Sequence, residues 1–311
     1  MGGAGSGAVP RPHRTPDLAV LGVAVLAVSS SGPLIAATAA PAFAIAFWRN
    51  ALGTAVMGSV VAARRGLRAE LAGLSRREVR LVLGAGVLLA AHFAAWTPSL
   101  RFTTVASATA LVCAQPVWSA LGDRLLGRAV SRQTWVGIAV SLLGVLLLTG
   151  ADLAVSGRAV TGDLLAILGG MLAAAYTLAG EAARRTVSTP AYTTLCYGTS
   201  AAVLLAACVA TGADLGGYDG ATWARILALT GAAQLLGHTL LNRVVGRLGA
   251  TVVSTAILVE VPGAALIAAV FLDQRPPATV VPAGLLLLAG VATVVHAQGR
   301  ARRAGQSVPV D

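Results

Sequence analysis

The second half of this chain repeats the first half at a constant offset of 146 positions. Matched positions are His92 and His238, Arg101 and Arg247, Thr109–Ala110 and Thr255–Ala256, Pro116 and Pro262, Gly144–Val145 and Gly290–Val291, and, nearer the N-terminus, Asp17–Leu18 and Asp163–Leu164. No gap is needed between His92 and Val145. A repeat of this length indicates that one structural unit is built twice and packs against its own copy.

The composition of the chain indicates whether the two units fold in water or in a lipid bilayer. The chain of 311 residues is 56% hydrophobic and 11% charged, whereas a soluble protein carries about 25% charged residues. One water-soluble core cannot bury so much apolar surface, so we expect a polytopic protein in a lipid bilayer. The net charge of +11 comes from arginines without any lysine. These arginines lie between apolar runs, which indicates topology signals and contacts with anionic headgroups, and nucleic acid is not an expected partner.

Apolar runs recur along the whole sequence, and each is close to the roughly 20 residues that cross a bilayer. They are Asp17–Ala40, Pro41–Ala63, Arg80–Leu100, Thr103–Gly122, Trp135–Gly150, Gly162–Glu181, Pro190–Gly212, Trp223–Asn242, Ala250–Leu272 and Ala278–His296. Five runs per copy is an odd number, so the second copy enters the membrane from the opposite side. The predicted fold class is an all-α membrane protein with ten transmembrane helices in two inverted-topology repeats of five.

These spans define the expected domains. Residues 1–16 are a Gly/Pro/Ala-rich tail that we expect to be disordered, 17–150 and 162–297 are the two five-helix repeats, and 298–311 is a C-terminal tail. The first span resembles a signal peptide, but its cleavage would remove the partner of Asp163–Arg184, so we expect it to be retained.

The arginines predict the orientation of the chain. With the N-terminus inside, eighteen arginines fall in inside segments and four fall outside. This bias predicts two cytoplasmic termini at a bacterial-type inner membrane. The four outside arginines are Arg101, Arg158, Arg225 and Arg275.

Charged side chains within the spans are the strongest indication of a site. Glu260 lies near the middle of the ninth span, two residues before Pro262, and Arg49 lies near the middle of the second. A charge at that depth is expensive and must find an opposite charge, carbonyl groups or water. Two interpretations stay open at this point: a structural ion pair between the halves, or a site for a charged substrate group or a proton.

Other polar or aromatic residues in the spans are candidates for lining a central cavity. They are Ser29, Ser30, Ser31, His92, Trp96, Gln115, Tyr176, His238 and Asn242. The alternatives are close helix packing for the serines, hydrogen-bonded packing between helices for the histidines, and an interfacial belt for the tryptophan. Pro33 follows the serines and frees backbone groups that only protein or a water-filled cavity satisfies at this depth.

Several catalytic motifs are absent from the sequence. It contains no Walker A sequence, no HExxH, no GxSxG and no paired intramembrane aspartates, which argues against an ATP-driven pump, a protease or an esterase. Cys113, Cys196 and Cys208 lie in apolar runs without metal-ligand spacing. We therefore expect no enzyme, no cofactor and no metal.

Two sequence runs resemble signatures of the drug/metabolite transporter superfamily, EamA-type branch. The run LLNRVVGRLGATVVSTAILVEVPGAALIAAVFLDQRP resembles its ninth-helix signature, with Glu260 and Pro262 in the Glu-Pro region. The run LRFTTVASATALVCAQPVWSALGDRLLG resembles the fourth-helix signature, and WRNALG around Arg49 is similar to the Arg-containing second helix. The resemblance covers about Asp17–Ala297.

The resemblance implies a ten-helix bundle with a central cavity, and alternating access without ATP. Members of the family move amino acids, metabolites or drugs, often outward. We therefore expect a secondary-active exporter of a small-molecule substrate, in which Arg49 and Glu260 supply charge and the other candidates supply hydrogen bonds. Proton coupling through Glu260 or a histidine is an added hypothesis, and a homodimer is left open.

Three alternatives to the exporter are weighed. They are a non-transporting membrane scaffold, a membrane-embedded enzyme, and an obligate exchanger, which would need a second cation at depth for phosphate. Two departures from the family pattern also stand out. Gly127-Arg128 and Asp273-Gln274 replace the usual Gly-Glu after the fourth and ninth helices, and Val261 separates Glu260 from Pro262.

Overall fold

The computed structural model describes residues 14–103, 105–149, 157–271 and 279–306, and these residues form helices without a strand. The all-α prediction is confirmed for this part of the chain. The helices are α1 (Arg14–Val28), α2 (Ser31–Ala37), α3 (Ala42–Ala63), α4 (Arg65–Ala72), α5 (Arg76–Ser99), α6 (Val105–Val112), α7 (Gln115–Leu125), α8 (Arg132–Thr149), α9 (Gly157–Ala183), α10 (Thr189–Thr211), α11 (Gly220–Leu229), a π-helical segment (Thr230–His238), α12 (Thr239–Leu248), α13 (Ala250–Ile257), α14 (Glu260–Phe271) and α15 (Val280–Gln306).

Helix length and hydropathy support a multi-pass membrane protein. Within the described residues, six helical stretches are long and apolar enough to cross a bilayer, and two shorter apolar stretches accompany them. The six are Pro16–Ala37, Ala42–Ala63, Arg76–Ser99, Gly157–Ala183, Thr189–Thr211 and Val281–Arg300, and the shorter two are Arg132–Leu147 and Ala250–Ala264.

The predicted fourth and ninth spans are not continuous helices. A turn separates α6 from α7, and another separates α13 from α14. Pro116 and Pro262 explain both breaks, because a proline has no N–H to donate and crowds the carbonyl four residues earlier. Those carbonyls belong to Val112 and Leu258, which are equivalent positions of the repeat. A proline at the same position of the repeat therefore breaks the equivalent helix in both copies.

The first span is broken as well, but its copy is not. Ser29 and Ser30 form the turn between α1 and α2, and their hydroxyls donate to the carbonyls of Val25 and Ala27, both at 2.8 Å. Pro33 lies just beyond this turn, whereas its counterpart in the second copy is Ala179, and α9 runs unbroken past it. Proline therefore accounts for the difference between the two copies here.

Helix is found outside the predicted spans, in both predicted tails and in the loop predicted after the second span. The helix α1 begins at Arg14, inside the predicted tail of residues 1–16, and α15 continues to Gln306, inside the predicted tail of residues 298–311. The short helix α4 occupies a segment that was predicted as a connecting loop. Its Glu70 accepts a hydrogen bond from the Ser188 backbone N–H at 2.7 Å, which joins the two copies.

Equivalent helices of the two copies pack against each other in opposite directions. Gly53 of α3 lies against Tyr197 of α10, while Gly58, further along α3, lies against Thr194, earlier in α10. The same order holds for α8 and α15, at the contacts Gly137–Val294 and Gly144–Leu287. Close approach requires glycine here, because a Cβ on Gly144 would lie 2.8 Å from the Ala283 carbonyl oxygen.

Candidate functional site

A central cavity lies between helices of both copies, at the level of the helix breaks. Its walls include eight of the eleven candidate residues: Ser31, His92, Trp96, Gln115, Tyr176, His238, Asn242 and Glu260. These eight residues belong to α2, α5 and α7 of the first copy and to α9, the π-helical segment, α12 and α14 of the second. Residues far apart in sequence are thus brought together at one place.

The cavity is narrow in this conformation. The centres of water-sized molecules have about 50 Å³ available, although the whole empty space, including the open mouth, is about 630 Å³. A single water needs about 10–15 Å³ by the first measure. The enclosed part of the cavity therefore has room for a few waters but not for a metabolite.

The helix breaks place three polar side chains on the cavity wall. Ser31, Gln115 and Glu260 are the first residues of α2, α7 and α14, and each follows a break. Glu260 is also the acidic residue in the first turn of α14. The Glu260 side chain forms no ion pair and no hydrogen bond among the described residues.

Arg49 lies behind the cavity wall and has neutral partners. Its side chain is fully buried. Its Nε donates to Oε1 of Gln234 at 2.8 Å, and its Nη1 donates to Oγ of Ser31 at 3.2 Å. The guanidinium carbon lies 4.3 Å from the centre of the Phe93 ring, in a cation–π contact. Among the described residues no carboxylate pairs with Arg49, so the ion pair with Glu260 is not formed.

Sequence reasoning missed the residues that hold Arg49. Gln234 lies in the π-helical segment, and its Nε2 also donates to Oδ1 of Asn50 at 3.2 Å. The repeat counterpart of Gln234 is Leu88, so a search for matched polar positions passed over it. The available signal was a lone glutamine within an apolar span, together with an asparagine directly after Arg49.

His92 is both packed between helices and exposed to the cavity. Its Nδ1 lies 2.9 Å from the carbonyl oxygen of Gly169 on α9. A carbonyl only accepts, so Nδ1 carries the proton, and Nε2 of the neutral ring is an acceptor. The Trp96 ring stacks on the histidine ring at 5.9 Å. Its repeat counterpart His238 packs edge-on against Phe93 at 5.6 Å.

The remaining candidates fall into two groups. Tyr176 donates its hydroxyl to Oδ1 of Asn242 at 2.8 Å, so two cavity residues satisfy each other. Ser29 and Ser30 instead bond back to α1, and Ser29 packs against Gly263. The contacts of these two serines therefore stabilise the turn between α1 and α2. No group of three metal-ligating side chains is found among the residues that the structure describes.

Comparison with known proteins decides the family. A family model described as "EamA-like transporter family" matches this chain twice, over residues 17–150 and 160–296. The chain belongs to the EamA-like transporter family. Both copies of the repeat are therefore EamA units, which agrees with the drug/metabolite transporter superfamily.

Similarity to individual proteins is more distant. A comparison with curated proteins found no match. One solved structure, described only as "Crystal structure of protein", has a TM-score of 0.75 and 18% sequence identity, and the alignment covers 90% of this chain and 97% of that one. At this identity the likeness shows the fold alone.

This EamA-like protein departs from the family pattern at Arg128, which forms ion pairs at the end of α7. Its Nη1 lies 2.8 Å from Asp123 and 3.2 Å from Glu181, a residue of the second copy. Partial burial lowers the pKa of Arg128, but the charges of Glu181 and Asp123 outweigh that effect and raise it overall. The departure Asp273-Gln274 lies outside the described residues.

Neighbouring groups complete what we call the Arg128 cluster: Asp123, Arg128, Glu181, Arg185 and Thr251. Arg185 donates to Glu181 at 2.7 Å, and Thr251 donates its hydroxyl to Asp123 at 2.6 Å. Glu181 also accepts the backbone N–H of Ala250 at 3.0 Å, at the start of α13. The cluster therefore ties α7 of the first copy to α9 and α13 of the second.

Proposed function

We propose that this EamA-like protein is a secondary-active transporter that moves a small molecule through the central cavity. The observation that carries this proposal is the convergence of eight polar or aromatic candidates on one cavity between the two copies. Polar groups at membrane depth are costly, and they usually mark a substrate or ion path. A scaffold that only packs in the bilayer has no need of such a lining.

The proposed motion is a rocking of the two copies about the cavity, in a bundle of ten spans with inverted topology. Antiparallel packing of α3 with α10, and of α8 with α15, supports the inversion. The narrow cavity supports the rocking, because an organic substrate enters only when the copies separate. The breaks before α2, α7 and α14 give each half-helix freedom to tilt on its own.

The direction and location are also proposals. The arginine bias of the sequence supports cytoplasmic termini in the inner membrane, and resemblance to the family supports export. The domain limits 17–150 and 162–297 are proposed as the two moving bodies.

Glu260 is proposed as the group that couples transport to protons. It is the carboxylate on the cavity wall, and it has no partner within the described part of the chain. Substrate uptake by reconstituted vesicles should fall when an ionophore collapses the pH gradient. Unchanged uptake would contradict proton coupling but would still be compatible with a transporter.

A transport assay tests the main proposal. Purified protein is reconstituted into vesicles, and efflux of labelled amino acids, amines and sugars is measured for wild type and for Glu260→Gln. Thr293→Val on the exposed face of α15 is the matched control, because Thr293 bonds only to its own helix at Ala289. We expect flux in wild type and in the control, and loss of flux in Glu260→Gln.

One result would count against the proposed site, and another against the transporter itself. The first is full activity of Glu260→Gln, which would show that transport does not depend on the Glu260 carboxylate. The other is the absence of flux for every compound while the protein stays folded and monodisperse, which would favour a scaffold.

A further inference from the structure

The two ionisable groups near the cavity differ in their exposure to it, and this difference favours a ligand of one charge over the other. Glu260 lies on the cavity wall, whereas Arg49 is fully buried behind it. Gln234 and Ser31 accept from the arginine Nε and Nη1, and the Phe93 ring lies against the guanidinium, while its buried Nη2 has no partner among the described residues. A bound anion would therefore meet a carboxylate without reaching a cation, and the two like charges would repel each other in a medium of low dielectric constant.

Hydrogen-bond donors on the wall are mostly used within the protein. The Tyr176 hydroxyl donates to Asn242, Nδ1 of His92 donates to Gly169, and the Thr177 hydroxyl donates to Ala173 at 2.7 Å. Each of these bonds fixes the proton away from the cavity. The Nε2 atom of His92 and the oxygen of Thr177 therefore offer lone pairs to a ligand.

Donors without a partner also lie on the wall. Ser31 accepts from Arg49, which leaves its own O–H free to donate. Gln115 has both a donor and an acceptor, one nitrogen of the His238 ring donates, and the indole N–H of Trp96 has no partner among the described residues. The wall is therefore mixed in hydrogen bonding, and the Glu260 carboxyl is the group on it that becomes negatively charged when it ionises.

Helix dipoles do not reverse this preference. The N-termini of α7 and α14 reach the cavity, but α6 and α13 end at the same turns, so positive and negative ends lie next to each other. The N-terminus of α14 also has its own carboxylate, because Glu260 is its first residue. Trp96 and Tyr176 also line the cavity, and an aromatic ring attracts a cation that reaches its face.

Building on the proposed transport function, we infer that the substrate class is a small protonated amine, whose ammonium group is bound by Glu260 together with the acceptor nitrogen of His92. An ammonium group supplies three donors and a positive charge, which matches the acceptors that the wall leaves unused. An apolar carbon skeleton matches the remaining wall, which includes Val112, Leu241 and Ile257.

Equilibrium binding tests the inference without requiring transport. The full-length protein in lipid nanodiscs is titrated calorimetrically with propylamine, benzylamine and 2-phenylethylamine, each beside an alcohol and a carboxylate of matched size. We expect the amine to bind more tightly than its alcohol, and the alcohol more tightly than its carboxylate. In Glu260→Gln the amine affinity should fall roughly 10- to 100-fold, the range of one charged hydrogen bond, while alcohol affinity should change less than about twofold.

The control variant is Glu260→Asp, which keeps the charge and should keep the order of the three ligands. The inference is overturned if no amine binds, if a carboxylate or alcohol binds as tightly as its amine, or if Glu260→Gln leaves the amine affinity unchanged in folded protein. Failure of the transport proposal looks different. Amine binding without flux would support the amine site and contradict the transport proposal. Flux of neutral or anionic compounds alone would support transport and contradict the assignment of an amine substrate.

Discussion

Arg49 and Arg128 satisfy their charges in two different ways. Arg49 is fully buried among neutral partners, whereas the side chain of Arg128 is 34% exposed and contacts two carboxylates. Neutral partners surround Arg49, and Glu260 on the cavity wall has no ion-pair or hydrogen-bond partner among the residues that the structure describes. The carboxylates around Arg128 instead join α7 of the first copy to α9 of the second. In the interior, the Glu260 carboxyl is not paired with an arginine. At the end of α7, the carboxylates of Asp123 and Glu181 pair with Arg128 and join the two copies.

Magnitudes explain why Arg49 needs several partners at once. An arginine at the centre of a bilayer costs about 2.5–3.5 kcal/mol on insertion scales, whereas an interhelical hydrogen bond in a membrane contributes about 0.6 kcal/mol on average. One neutral hydrogen bond is therefore not sufficient. Gln234, Ser31 and the Phe93 ring act together, with a desolvated cation–π contact contributing about 2 kcal/mol.

The largest effect is expected from Gln234→Leu, which breaks the Arg49 arrangement. Leucine is the residue at the equivalent position of the first copy, Leu88, so the substitution suits an apolar helix. It leaves Nε of a buried guanidinium without an acceptor, and we expect a loss of about 3 kcal/mol in unfolding free energy. Denaturant unfolding in detergent micelles, followed by circular dichroism, measures the loss.

A double variant is the control for that prediction. In Arg49→Leu/Gln234→Leu both positions carry the residue of their repeat counterparts, Leu195 and Leu88. The buried charge is gone, so the double variant should be more stable than Gln234→Leu alone. A double variant that loses the sum of the two single losses would show that the two side chains do not interact.

Sequence patterns predicted much of the fold because hydropathy acts locally. The helical class and the positions of α3, α5 and α10 follow from this local rule. The count of ten spans stays a prediction, because a break shortens a helix without changing the hydropathy of the segment. Pattern length alone therefore does not distinguish one long helix from two half-helices.

The cavity residues were predicted better than the partners of Arg49. Polar residues in apolar spans stand out one at a time, and eight of them line the cavity. The pairing of Arg49 with Gln234 depends on how α3 packs against the π-helical segment, which no local pattern contains. Comparison of the two copies did not indicate Gln234, because its counterpart Leu88 is apolar.

A smaller effect is expected from Arg128→Met, which opens the Arg128 cluster. Glu181 keeps Arg185 and the Ala250 N–H, and Asp123 keeps Thr251, so neither carboxylate loses all its partners. We expect a loss of about 1 kcal/mol in unfolding free energy, because partial exposure screens the pairs.

Ionic strength sharpens this prediction. The difference between wild type and Arg128→Met should shrink as salt rises from about 0.01 M to 1 M, because the Debye length falls from about 30 Å to 3 Å. Arg124→Met is the matched control, since Arg124 is an exposed arginine in the last turn of α7, four residues before Arg128. An equal loss in both variants would mean that net charge, and not the cluster, stabilises this end.

The smallest effect is expected from Asp17→Asn, at the contact between α1 and α12. Arg247 donates to Asp17 at 3.1 Å, but its side chain is 70% exposed. Water and salt screen such a pair, so the unfolding free energy should change by about 0.5 kcal/mol or less in the same denaturant assay. This pair also joins the two copies, as the Arg128 cluster does, and it differs chiefly in the exposure of its arginine. A loss as large as that of Arg128→Met would therefore show that joining the copies, and not burial, determines how much an ion pair stabilises this fold.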